Sequence, residues 1–158
     1  MSAPCPHYTW LLILDTFDRK TDRFRVYKRK EYFFRDAGAP LSWHDAADFC
    51  KKLWNGRGSL PKIENEDENQ WFYHEAGHET VWLGASDLAM EGFWRWQDAT
   101  SLGKTYQKWL RGEPNNKNKI EHCAAIAQPW SKKAEWIDAN CTLLKQVACQ
   151  VRDMKFFT

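Results

Sequence analysis

Long apolar runs are what this 158-residue chain most plainly lacks: the longest, Trp10 to Leu14, is five residues. A bilayer span takes roughly 20 apolar residues and a signal-peptide core roughly 7 to 15, so this run can serve as neither. The expectation is a soluble chain and, if it is secreted, one whose leader is absent from the sequence. An excess of one charge sign is also missing. A formal net charge of +2 argues against a dedicated nucleic-acid binder, because counterion release needs a concentrated basic surface. There are no internal repeats, no low-complexity tract and no CxxC pair, which removes solenoids, disordered tails and the common zinc ribbons.

What the chain does have is ten tryptophans, a heavy load for its length. Aromatic side chains are costly to leave in water, so most should anchor a β-rich core within one domain. Cys50, Cys123, Cys141 and Cys149 fit no zinc spacing and read as disulfides, which implies an oxidising compartment. Spacing alone leaves three pairings open. Cys5 is left over, either free or linking two chains as a disulfide-bonded homodimer.

Residues 23 to 27 alternate charge with hydrophobicity and predict a half-buried strand, with Tyr32-Phe33-Phe34 as a second strand or its extension. Seven of the twelve residues from Arg19 to Lys30 are Lys or Arg. This segment is read as a charged edge strand rather than as a contact for an acidic polymer. Ser42 predicts the cap of a helix bearing Trp43, Ala46, Ala47, Phe49, Cys50 and Leu53 on one side and ending near Asn55-Gly56. Asn65, with Glu68 three positions on, predicts a second helix running through Trp71 and Phe72. Strands are expected at 81–84, 93–96, 123–127, 135–138 and 146–151, with a long irregular loop between Trp96 and Cys123 that is the natural place for function.

His74-Glu75-Ala76-Gly77-His78 is a literal HExxH, a zinc-protease signature when it lies on one unbroken helix. Gly77 and the strand that follows argue that the helix stops, and no third ligand stands in a protease-like position, so the chain is read as a non-enzyme. Asn140-Cys141-Thr142 is a formal sequon whose middle residue is a predicted disulfide cysteine, which argues against occupancy. Trp109 is assigned to packing and Trp130 to the surface.

Glu113-Pro114-Asn115, then Glu121, Cys123, Trp136-Ile137-Asp138 and Cys141, together with Val81-Trp82-Leu83-Gly84, resemble the signature of C-type lectin domains. The resemblance covers residues 38–151, with 1–37 as an N-terminal strand segment of the same domain and 152–158 as a tail. It implies an α+β C-type lectin-like fold: two helices packed on small antiparallel sheets with a long irregular ligand-binding loop. It selects Cys50 with Cys149 and Cys123 with Cys141 as the disulfide pairs. It also implies a Ca2+ held by Glu113, Asn115, Glu121 and Asp138, a cis peptide at Pro114, and an auxiliary calcium at Asp87, Glu91, Asn116 and Glu121, weakened by His122 where the family often has Asp.

In such a site two neighbouring sugar hydroxyls each give a lone pair to calcium, donate to a carboxylate and accept from an amide. The Glu-Pro-Asn order goes with mannose, glucose, N-acetylglucosamine and fucose. Ile137 departs from the family's Trp-Asn-Asp and removes one metal oxygen and one amide donor, a loss on the order of 1 to 3 kcal/mol, or roughly ten- to hundredfold in affinity. The implied partners are therefore mannose-type or fucose-type glycans or, if the site is a relic, a protein or a mineral or ice surface. The implied location is extracellular.

Overall fold

The structure is a computed structural model that describes residues 22–36, 38–126 and 133–152. Cys5, Trp10, Arg19, Lys20, Trp130 and the tail beyond Arg152 lie outside them. Among the described residues the fold consists of two helices and two antiparallel sheets. One sheet has the order β1 (Arg23–Tyr27), β2 (Lys30–Phe34), β7 (Ala148–Arg152), and the other has the order β4 (Arg95–Trp96), β3 (Val81–Ser86), β5 (Cys123–Ile126), β6 (Trp136–Ala139).

Helix α1 (Trp43–Lys51) begins at Ser42, whose hydroxyl accepts the Asp45 N–H at 3.3 Å. It stops at Lys51 rather than near Gly56. Residues Leu53–Gly56 instead tighten into a 3-10 turn in which Trp54 and Asn55 take positive φ, which lets Trp54 bury its ring and donate to Glu31 at 2.6 Å. Helix α2 (Glu66–Glu75) begins at Asn65, whose side chain accepts the Glu68 N–H at 2.9 Å, and it ends before Gly77 as expected. Of the strand expected over 93–96 only Arg95–Trp96 pairs. Phe93 is 63% exposed and sits in a turn closed by its N–H on the Met90 carbonyl at 3.0 Å, because the chain is still rounding the corner after β3.

The core is aromatic, as the tryptophan count requires. Trp82 and Trp136 are fully buried, as are Tyr32, Phe33 and Phe72, while Trp43, Trp94 and Trp96 are nearly so. Trp109 packs edge-on against Trp94 and Trp136 with ring centres 4.9 and 6.0 Å away. Disulfides join Cys50 to Cys149 and Cys123 to Cys141. They close spans of 99 and 18 residues, worth about 5 and about 3 kcal/mol on loop-closure reasoning.

The basic hairpin β1–β2 is largely neutralised from within. Arg23 binds Asp36 and Glu75, and Arg25 binds Glu75 at 3.1 Å. Lys30 is only 5% exposed and donates to Glu68 at 2.7 Å and to the Lys62 carbonyl at 2.6 Å, with Glu64 at 3.1 Å. Tyr32 donates to the same Glu68 oxygen at 2.8 Å.

Candidate functional site

Strand β6 ends where the long loop returns, and it places Asp138 under residues 113–121. The Asp138 side chain is 2% exposed, and its two oxygens accept the backbone N–H groups of Asn115 at 3.0 Å and Asn116 at 2.6 Å. A buried carboxylate gripping two successive amides fixes the loop at the Glu-Pro-Asn motif, whose Glu113-Pro114 peptide is cis. The loop then pins itself. Asn115 Nδ2 donates to Glu113 Oε1 at 2.8 Å and Asn115 Oδ1 accepts the Lys117 N–H at 2.8 Å. Asn116 Oδ1 accepts the Glu121 N–H at 3.1 Å, and Glu121 Oε2 accepts from Lys117 N at 3.1 Å.

These contacts bring the carboxylates of Glu113, Glu121 and Asp138 within 4.8 Å of one another. Glu113 Oε2 is buried and has no hydrogen-bond partner. Burial, then the proton that Glu113 can share with Asp138, then the negative charges of Asp138 and Glu121 push the Glu113 carboxyl up to about 8. The arrangement is three hard oxygen donors converging, held together without a metal by the proton that Glu113 retains.

A second group, Asp87, Glu91 and His122, also has ligand atoms within 4.8 Å of one another. Glu121, expected to serve both sites, falls in the first group, and the Asn116 amide oxygen is turned to the Glu121 N–H. His122 stands closer to the acids than the sequence implied, with Nδ1 2.9 Å from Asp87 and 3.3 Å from Glu91.

Ile137, between Trp136 and Asp138, is 7% exposed and belongs to the apolar cluster that contains Trp82 and Ala125. Lys145 was not anticipated. Its ammonium lies 5.1 Å from the Trp82 ring centre; burial lowers its pKa, and the charge of Glu121 pulls the other way. Nothing in Leu143-Leu144-Lys145 marks a cation facing the site, because its placement depends on the backbone pairing of Lys145 with Leu41, made through bonds of 3.0 Å in each direction.

The HExxH histidines do not share one helix. His74 is in the last turn of α2, His78 has a positive φ, the rings lie 6.1 Å apart, and Glu75 is held by Arg23 and Arg25. Asn140 of the sequon uses its side-chain oxygen to accept the Thr142 N–H at 3.0 Å and hydroxyl at 2.9 Å, and Cys141 is bridged.

The family described as Lectin C-type domain matches residues 39–151. The chain is 34% identical over 120 residues to human C-type lectin domain family 4 member K, covering 75% of this chain and 34% of that protein, so it spans about a third of that relative's length. It is 37% identical over 127 residues to a perlucin-like protein of Mytilus galloprovincialis, covering 75% of this chain and 73% of that one. Among solved structures, the cow C-type carbohydrate-recognition domain of CD23, determined in the presence of a GlcNAc2Man3 oligosaccharide, superposes with a TM-score of 0.70 at 27% identity, covering 83% of this chain and 94% of that one.

Proposed function

The chain belongs to the C-type lectin domain family, and from that premise we propose that it is an extracellular, calcium-dependent lectin for mannose-type or fucose-type glycans. Glu113, Asn115, Glu121 and Asp138 would hold the ion. The observation that carries this reading is the convergence of Glu113, Glu121 and Asp138 with one buried carboxylate oxygen lacking any partner. Three clustered acids fit a hard dication, which takes oxygen donors, displaces the Glu113 proton and neutralises their repulsion.

When bound, calcium supplies a Lewis-acidic point that polarises sugar hydroxyls. The residues around it do the rest. Asp138 holds the loop by its two amides, the carboxylates of Glu113 and Glu121 accept hydroxyl protons, and the Asn115 amide donates to a hydroxyl oxygen. Ile137 offers no amide, so the second hydroxyl is recognised by one donor fewer, and weak monosaccharide binding is the expected result.

A second reading, a module that binds a protein or a mineral or ice surface, is favoured by Ile137 alone. The basic hairpin adds little to it, since Arg23, Arg25 and Lys30 are engaged by Asp36, Glu75, Glu64 and Glu68. Retention on mannose-agarose in millimolar calcium with elution by a chelator tests the choice. Flow-through on both mannose and fucose resins would overturn the lectin reading.

A further inference from the structure

Three lysines stand around the calcium site, and none is paired with its acids. Among the described residues the ammonium groups of Lys117, Lys119 and Lys145 meet no carboxylate and no hydrogen-bond acceptor, whereas Lys30, Lys62 and Lys108 hold Glu68 at 2.7 Å, Asp98 at 2.6 Å and Glu66 at 3.2 Å. The backbone keeps the site's cations and acids apart. Residues Lys117–Lys119 form a 3-10 turn in which Asn116, Asn118 and Lys119 have φ of 44°, 57° and 59°. A lysine in the left-handed region is uncommon and strained. It is held there by the Lys119 N–H on the Asn116 carbonyl at 2.8 Å, while the Lys117 N–H is fixed by Asn115 Oδ1 at 2.8 Å and Glu121 Oε2 at 3.1 Å. The turn therefore commits the backbone of Lys117 to Glu121 and leaves both lysine side chains exposed.

Exposed lysines are ordinarily solvated, so the turn alone would say little. Lys145 is a second observation, from a different element. It is half-buried, with its ammonium 5.1 Å from the Trp82 ring centre. Burial lowers its pKa, and Glu121 is the carboxylate whose charge opposes that shift. Glu121 is thus the neighbour that Lys117 and Lys145 share, which puts both cations on one side of the site.

Charge sets the class of ligand. A bound dication offsets two of the three carboxylate charges at Glu113, Glu121 and Asp138, which leaves one negative charge against three ammonium groups. The loaded site is cationic on its Glu121 side. Ile137 leaves the second hydroxyl one donor short, so a sugar that carries its own anion regains contact that a neutral sugar lacks.

We propose that Lys117, Lys119 and Lys145 form a cationic rim on the Glu121 side of the calcium site that recognises an anionic substituent, a sulfate ester or a carboxylate, on the bound sugar. The proposal rests on the lectin reading and narrows it from neutral glycans to acidic ones.

The test is frontal chromatography of the whole chain on resins carrying mannose, mannose 2-sulfate, mannose 6-sulfate or mannuronic acid, in calcium and in chelator. Mannose has one pair of neighbouring equatorial hydroxyls, O3 and O4, so positions 2 and 6 stay free when that pair faces calcium. In calcium at low salt, at least one anionic resin should retain the chain about threefold or more above neutral mannose, and the ratio should shrink as ionic strength rises. A gain on the sulfated resins alone assigns the rim to sulfate esters, and a gain on mannuronic acid as well assigns it to either anion. Lys117→Gln with Lys145→Gln should bring the ratio of anionic to neutral retention close to one, while Lys51→Gln, on α1, controls for the loss of a positive charge and should keep it. Lys117→Gln alone, on an exposed side chain, should lower the ratio in the same direction and serves if the double variant does not fold. Anionic resins that perform no better than mannose overturn the proposal, as does a gain that survives both lysine replacements, or retention that persists in chelator and is therefore simple ion exchange. Neutral retention without an anionic gain removes this proposal alone, whereas flow-through on every resin in calcium removes the lectin reading with it.

Discussion

Two ionic clusters in this fold are both at least partly buried and both strongly charged, yet only one is complete. Around Lys30 every charge has an answer: Glu68 accepts from Lys30, Tyr32 and the Glu64 N–H, and Glu64 adds its own ion pair to Lys30. Burial lowers the Lys30 pKa and Glu68 opposes that shift. Around Glu113 three carboxylates converge and one oxygen has no partner at all. The first cluster ties β2 to α2 and belongs to the fold. The second holds its acids together only by keeping a proton on Glu113 or by taking positive charge from outside, and that imbalance, rather than the number of acids, marks a ligand site.

The comparison breaks most visibly at Lys30. Replacing it by Met should leave the 1%-exposed Glu68 without its cation, at a cost of about 3 to 5 kcal/mol in urea unfolding. Added calcium should not restore the loss. A cost under about 1 kcal/mol would mean that the Tyr32 and Glu64 hydrogen bonds alone satisfy Glu68, and the contrast between the clusters would weaken.

Glu113→Gln should behave in the opposite way. Glu113 keeps its proton up to about 8 in the metal-free fold, so Gln mimics its neutral form and the metal-free chain is expected to melt at the same temperature near neutral pH and at a higher one above about pH 8. Calcium affinity, read by calorimetry, should fall by at least about tenfold, because a charged ligand is lost. A variant that is destabilised in chelator yet still binds calcium as tightly as wild type would place Glu113 with the structural charges instead.

The sequence made the finished parts of this molecule easier to read than the unfinished ones. Ser42 and Asn65 announced their helices because a cap is a local bond between residues three apart. Glu113-Pro114-Asn115 and Asp138 were visible as donors of the right chemistry. Their relation was not, since it is made by Asp138 reaching across to the amides of residues 115 and 116. Glu68 looked like a helix-cap residue and is also the anion for Lys30, which lies 38 positions away. The end of α1 was misplaced because the packing of Trp54 overrides the helical preference of the segment. Lys145 carried no local signal.

Ile137 sharpens the comparison in the other direction, by asking whether the open site can be improved. Ile137→Asn should return an amide to the site and strengthen sugar binding by about tenfold, measured by competition on immobilised mannose. The side chain is only 7% exposed in an apolar cluster, so an unbonded amide there should also cost about 1 to 3 kcal/mol of stability in chelator, and calcium should recover part of it. Lost stability with no gain in sugar binding would favour the protein- or surface-binding reading.

The smallest expected effect is on pH dependence, and it follows from the sign of the Glu113 shift. An ordinary glutamate releases its proton near 4.5, whereas in the folded, metal-free chain Glu113 keeps its proton up to about 8, chiefly through burial and then through Asp138 and Glu121. Between those values the folded state binds a proton that the unfolded chain has already released, so raising the pH through this window must destabilise the fold. Thermal unfolding in chelator should therefore show a melting temperature that declines from about pH 5 to about pH 8, modestly, because solvent reaches much of the site and screens the repulsion. Calcium must displace that proton to bind, so its affinity should rise over the same window, and saturating calcium should flatten the decline. A chelated chain whose melting temperature rises with pH while Glu113→Gln behaves identically would show that the repulsion at Glu113 is already balanced from within, and the site would then resemble the Lys30 cluster after all.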